Sequence, residues 1–198
     1  MLPVNSGYDV FANHFDSVNL HVIGISGIHI HQNHFANTTL GNYIALFFSA
    51  PYGGTIASGS PARNIQIDHN TLDARTANHA TISGQAQDDA PGQGAIEGLS
   101  IVGNVIRGIS SSVHVNTSVP VCLTDCLGMA QTYDVEIANN VLVSYGSDAH
   151  SQIDLRGGTY GLVQTAIVHG NMLLSASSEP GDITPDSHTT QTNIANNM

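Results

Sequence analysis

The stretch Tyr145–Gly158, YGSDAHSQIDLRGG, brings a phenol, two carboxylates, an imidazole and a guanidinium into twelve residues: Tyr145, Asp148, His150, Asp154 and Arg156. These are the parts needed to draw a proton from a carbon beside a carboxylate. His150 or Tyr145 is the base, Asp148 or Asp154 an acid, and Arg156 the cation that takes up negative charge. Upstream, SVHVN adds His114 and Asn116. A second group, His29 and His31 with Asp68 and His69, sets imidazoles beside a carboxylate, a donor set for a transition metal or for proton transfer. A third, Asp88 and Asp89 in a Gly-rich loop, offers paired carboxylates for calcium or, with Asp154, for glycoside hydrolysis. The metal candidates are therefore His29, His31, Asp68, Asp88 and Asp89, and calcium is the one cofactor expected. Trp is absent, so stacking on any ligand falls to Tyr133, Tyr145 and Tyr160, and Asn116, Tyr160 and Tyr133 are the candidate substrate contacts. The competing reading of every group is a solvated polar face or a hydrogen-bonded loop.

These residues are positioned by a repeat. The phrase of alternating apolar residues, a two-residue gap, Asn and another apolar residue reads GIHIHQNHF, NIQIDHNTL, GLSIVGNVI, DVEIANNVL and TAIVHGNML. Shorter forms are DVFANHF at Asp9–Phe15 and TNIANNM at Thr192–Met198. The period of two makes each phrase a strand, with Ile28/Ile30, Ile65/Ile67, Leu99/Ile101, Val135/Ile137 and Ala166/Val168 facing inward. Outward then go His29/His31, Gln66/Asp68, Ser100/Val102, Glu136/Ala138 and Ile167/His169. The repeated Asn (13, 33, 70, 104, 140, 171, 197) suits a left-handed corner and can stack as an amide ladder. A second apolar set, YIALFFS, HATIS, SVHVN and QIDLR, gives each repeat at least two strands and points His114, Asn116, Asp154 and Arg156 outward. Stacked repeats of this period put the same slot of consecutive repeats about 4.8 Å apart.

Strand, corner and strand again in one direction resembles the right-handed parallel β-helix proteins of the pectate-lyase-like superfamily, over nearly the whole chain. The resemblance implies an all-β fold, a single-domain solenoid over residues 1–198. Tyr145-Gly146-Ser147-Asp148-Ala149-His150-Ser151 is similar to the Tyr-Gly-Phe-Asp-Pro-His-Glu/Asp stretch of mannuronan epimerases and related uronate-polymer lyases, matching at Tyr, Gly, Asp and His. This implies a polysaccharide substrate and functional roles for Tyr145, Asp148 and His150. Two other classes stay open: a non-catalytic glycan-binding, adhesive or spike segment, and a glycoside hydrolase working through Asp88 or Asp89.

Composition narrows the partners. Fifteen acidic residues against four Arg and no Lys give a net charge of −11, which argues against nucleic acid or an anionic membrane. The longest apolar run, Tyr43–Phe48, is too short to span a bilayer. Met1–Asn5 has no basic start and no apolar stretch, so no signal peptide is expected in this sequence. An extracellular or cell-surface location is expected from the implied substrate. Cys122 and Cys126 suit a local disulfide or two free thiols. The chain begins and ends within repeat phrases, so a piece of a longer chain, or end-to-end or side-by-side self-association, is expected.

Overall fold

The computed structural model describes residues 7–18, 20–23, 25–36, 46–49, 62–74, 82–87, 94–108, 113–118, 130–145, 152–156, 161–175, 183–185 and 189–198. No helix occurs among them. Each repeat contributes three strands, two from the Asn phrase and one from the second apolar set, one more than the two apolar sets require. In chain order they are β1 (Tyr8–Phe11), β2 (His14–Asp16) and β3 (Leu20–Ile23); β4 (Ile28–His31), β5 (His34–Ala36) and β6 (Leu46–Ser49); β7 (Ala62–Asp68), β8 (Thr71–Ala74) and β9 (Ile82–Gln87). Then come β10 (Gly94–Val102), β11 (Val105–Gly108) and β12 (Val113–Ser118); β13 (Ala130–Ala138), β14 (Val141–Ser144) and β15 (Ile153–Arg156); and β16 (Gly161–His169), β17 (Met172–Ser175) and β18 (Ile183–Pro185). β19 (Thr189–Thr190) and β20 (Asn193–Ala195) follow.

Every strand from β1 to β15 pairs in parallel with the third strand after it, giving three parallel sheets. Sheet 1 runs β1-β4-β7-β10-β13-β16, with β19 and β20 both on β16. Sheet 2 is β2-β5-β8-β11-β14-β17, and sheet 3 is β3-β6-β9-β12-β15-β18. Pairs such as Ile30↔Ile67, Ile67↔Ile101 and Ile101↔Ile137 keep equal slots opposite each other. The inward residues form continuous rows in which Ile30, Ile67, Ile101, Ile137 and Val168 are fully buried. Phe35, Leu72, Ile106 and Leu142 line sheet 2, and Ile82, Ile153 and Leu155 line sheet 3, all likewise buried. Each such side chain contributes about 1.5–3 kcal/mol relative to exposure.

The sharp corner is one residue earlier than the Asn suggested. Left-handed backbone angles fall on the residue preceding it, at Ala12, Gln32, His69, Gly103, Asn139, Gly170 and Asn196. A second left-handed kink precedes the first inward residue, at Gly27, Asn64, Gly98, Asp134 and Thr165. At Gly170, a Cβ would lie 2.4 Å from Oδ1 of Asn139 in the neighbouring corner, so that side chain would have to move aside.

Relieved of the corner, the Asn turns inward. Asn33, Asn70, Asn104, Asn140 and Asn171 are at most 2% exposed. Each Oδ1 accepts the backbone N–H of the preceding Asn, at 2.9–3.0 Å from Asn13 to Asn197. It also accepts that residue's Nδ2, at 2.9–3.1 Å. The second amide proton of Asn33, Asn70, Asn104, Asn140, Asn171 and Asn197 goes to a backbone carbonyl of the preceding repeat, such as Asn104 Nδ2 to Ile67 O at 2.9 Å.

Asn104→Ala removes the acceptor of two Asn70 donors and the donors to Asn140 and Ile67. At about 1–3 kcal/mol per stranded buried group, it is expected to cost more than about 3 kcal/mol in urea unfolding. Asn13→Ala, at the exposed end of the column, is expected to cost under about 1.5 kcal/mol. Ile101→Ala is expected to cost about 2–5 kcal/mol, whereas the outward-facing Ser100→Ala stays within about 0.5 kcal/mol. Equal losses at Asn13 and Asn104 would contradict the load assigned to the buried column.

Candidate functional site

With apolar residues committed inward, chemistry is confined to the outer faces. On sheet 1, two outward rows run across the strands. One carries Asp9, His29, Gln66, Ser100, Glu136 and Ile167; the other, two residues on, carries Phe11, His31, Asp68, Val102, Ala138 and His169. The expected outward assignment agrees with the exposure of every member except Ala138, a small side chain that is covered.

Diagonal neighbours on such a face lie within reach of long side chains, and one diagonal is used three times for an acid and an imidazole. Asp9 meets His31 (Oδ1–Nε2, 2.9 Å), His29 meets Asp68 (Nε2–Oδ2, 2.5 Å), and Glu136 meets His169 at 3.5 Å. The other oxygen of Asp68 takes His69 Nδ1 at 2.9 Å. Burial pushes the Asp68 carboxyl up, but the hydrogen bonds from His69 and His29 outweigh it and hold it below its ordinary 3.8. The His29 and His31 rings stack at 4.1 Å, and Phe11 stacks on His31 at 5.4 Å. The expected grouping of His29, His31, Asp68 and His69 is thus present. Asp9 joins it unannounced. His34 stands apart, as the corner implies, facing His14 on sheet 2 with 3.1 Å between their Nδ1 atoms.

Further along sheet 1, Arg63, Glu97 and Tyr133 are direct cross-strand partners. Arg63 Nε and the Tyr133 hydroxyl both donate to Glu97 Oε2, at 2.5 and 3.0 Å. Arg63, then Tyr133, hold the Glu97 carboxyl below its ordinary range, while burial and then Glu97 push the Tyr133 phenol up. Tyr133, expected among the substrate contacts with Asn116 and Tyr160, therefore lies on a different sheet from Asn116, its hydroxyl already engaged. The reason is that β13 begins four residues before its repeat phrase, which carries Tyr133 onto sheet 1.

The other candidates gather on sheet 3. β12 and β15 pair so that His114 is the register partner of Asp154, and Asn116 of Arg156. Asp154 is only 4% exposed, between the core residues Ile153 and Leu155. The outward direction that alternation gives it does not expose it: the carboxylate turned away from the core is covered on that side too. Tyr145, 44% exposed, directly follows β14 on sheet 2. Asp148, His150, Tyr160, Asp88, Asp89, Cys122 and Cys126 lie outside the described residues.

Compared with family models, with curated proteins and with solved structures, the chain matches none.

The depressed Asp68 carboxyl fixes a pH dependence. A carboxyl whose folded value lies below its unfolded one stabilises the fold at neutral pH, and that contribution fades as pH falls through the folded value, below 3.8. Wild type is expected to exceed Asp68→Asn in stability by under about 1 kcal/mol near neutrality, the scale of a partly exposed pair. Urea midpoints should converge on acidification. A gap that widens with acid would reverse the sign assigned to this pair.

Proposed function

We propose that the chain is a right-handed parallel β-helix, a single solenoid domain, that acts on a uronate-containing polysaccharide by abstracting the proton next to the carboxylate. The three parallel sheets, with every strand pairing three strands on, support the architecture. The observation that carries the function is the register of sheet 3, which pairs His114 with Asp154 and Asn116 with Arg156. An imidazole, a carboxylate, an amide and a guanidinium then occupy four neighbouring positions on two paired strands.

In this reading Arg156 neutralises the uronate carboxylate, lowering the cost of the carbanion that forms when the proton leaves. His150 or Tyr145 takes that proton, and Asp148 and His114 assist. Asn116 and Tyr160 hold hydroxyls of the polymer. Asp154, being buried, acts as a positioning residue for its neighbours rather than on the substrate. Returning a proton to the opposite face gives the epimer; expelling the neighbouring glycosidic oxygen, which takes up a proton, gives a chain end with a new double bond. A place outside the cell or at its surface fits such a substrate.

The burial of Asp154 and the engagement of Tyr133 by Glu97 favour a second reading, in which the same fold holds glycans without altering them. A panel of uronate polymers, incubated with the full chain in calcium and in chelator, separates the two. The first reading expects either ultraviolet-absorbing unsaturated ends or changed proton signals without scission, lost by orders of magnitude in His150→Ala and His114→Ala at unchanged circular dichroism. Retention on a polymer column with no product on any member would sink it in favour of the second. New reducing ends alone would mean hydrolysis and sink both.

A further inference from the structure

We propose that Asp9, His29 and His31 form a binding site for a divalent transition-metal ion of the zinc class, with Asp68 as the residue that orients His29. The site lies on the outer face of sheet 1 and is independent of the sheet 3 reading.

Asp9 and His29 are direct register partners on β1 and β4, and His31 follows on the same side of β4. One ligand atom from each of the three lies within 4.8 Å of the other two. Zinc–ligand bonds of about 2.0–2.2 Å put the donors of a tetrahedral ion about 3.4 Å apart. The His31 Nε2 to Asp9 Oδ1 separation of 2.9 Å is already near that edge. The Asp9 and His29 side chains are 53% and 38% exposed, so a small rotation of either brings the third donor in. Two imidazoles and one carboxylate form the three-ligand set that leaves a fourth position open for water or another ligand.

The surroundings also fit. A metal-bound His commonly gives its other ring N–H to a carboxylate, which fixes the tautomer and strengthens the donor. His29 places Nε2 on Asp68 Oδ2, which assigns Nδ1 to the ion. Asp68 is itself tied by His69. Phe11 covers the His31 ring and limits its rotation. Two carboxylates, Asp9 and Asp68, flank the two imidazoles and offer a dication negative charge on either side. The rival account is a set of ordinary His–Asp pairs on a wet surface, and that account predicts no stoichiometric metal.

The test titrates the full chain with Co(II), read by visible absorption, and with Zn(II) against a chromophoric chelator. Wild type is expected to take one equivalent with nitrogen and oxygen ligation. His29→Gln, His31→Gln and the exposed-site variant Asp9→Asn should each weaken it by more than the about 10–100-fold expected for Asp68→Asn. Asp68→Asn should leave the spectrum unchanged at saturation, whereas His14→Gln/His34→Gln should bind like wild type. Circular dichroism confirms the fold of each variant, and the Asp9 and Asp68 variants alter only partly exposed groups. The proposal falls if wild type binds no stoichiometric ion, if His29→Gln and His31→Gln bind as wild type does, or if the His14/His34 variant abolishes binding. It also falls if sulfur-to-cobalt charge transfer shows that Cys122 and Cys126 are the ligands.

Discussion

A column of buried amides is the constraint on which the rest depends. An Asn side chain in an aliphatic interior costs free energy unless its donors and acceptor are matched, and among the described residues they are matched by the same Asn of the neighbouring repeat and the backbone beside it. The solution is mutual and indivisible. Each Oδ1 serves two donors of its predecessor, one of them a backbone N–H, so the side chain of one coil completes the main-chain bonding of the last. This locks the register of neighbouring repeats independently of how many residues separate them. Successive Asn residues are 20, 37, 34, 36, 31 and 26 positions apart, yet meet with the same geometry. Loop length is free because closing a longer loop adds little entropy, whereas a slipped Asn would strand several buried groups at once.

The interior, fixed in this way, leaves the outer rows unconstrained in chemistry but strictly constrained in place. On sheet 1 the same diagonal hosts an acid and an imidazole three times, because the pleat repeats the geometry wherever suitable residues occur. On another row the same scaffold makes a Tyr–Glu–Arg contact. The fold thus acts as a lattice of addressable positions, and any local chemistry depends on which side chains meet across two neighbouring coils.

Much of this lattice was legible in the residues themselves. The two inward positions, the recurring Asn and the His29/His31/Asp68 neighbourhood follow from period two and from equal phase between repeats. Other features were not. Asn favours left-handed angles, so it was the natural choice for the corner; the corner is taken instead by whichever residue precedes it, including Ala12 and Gln32, because the ladder claims the Asn. The strands of sheet 2 are only three or four residues long, too short for a period of two to mark them as a separate set. Asp9 lies 20 residues from His29 in a shortened phrase, and only aligning DVF with IHIH brings them together. Alternation gives the direction of Asp154 but not what covers it. Tyr133 precedes its phrase, where the period has no reference point.

The amide column also has a direction. Every side-chain carbonyl from Asn33 to Asn197 aims its oxygen toward the preceding coil, and none is reversed. Across the strands, successive peptide groups of each strand point to opposite neighbours and largely cancel, but these side-chain dipoles add, and a chain of hydrogen bonds polarises its own members. The amide column therefore behaves as an electret, with a permanent electrical polarity frozen in by packing. Its oxygen-bearing, negative pole is at Asn13, in the same coils that carry His29 and His31, so a cation resting on that end of the outer wall is favoured by charge it never touches.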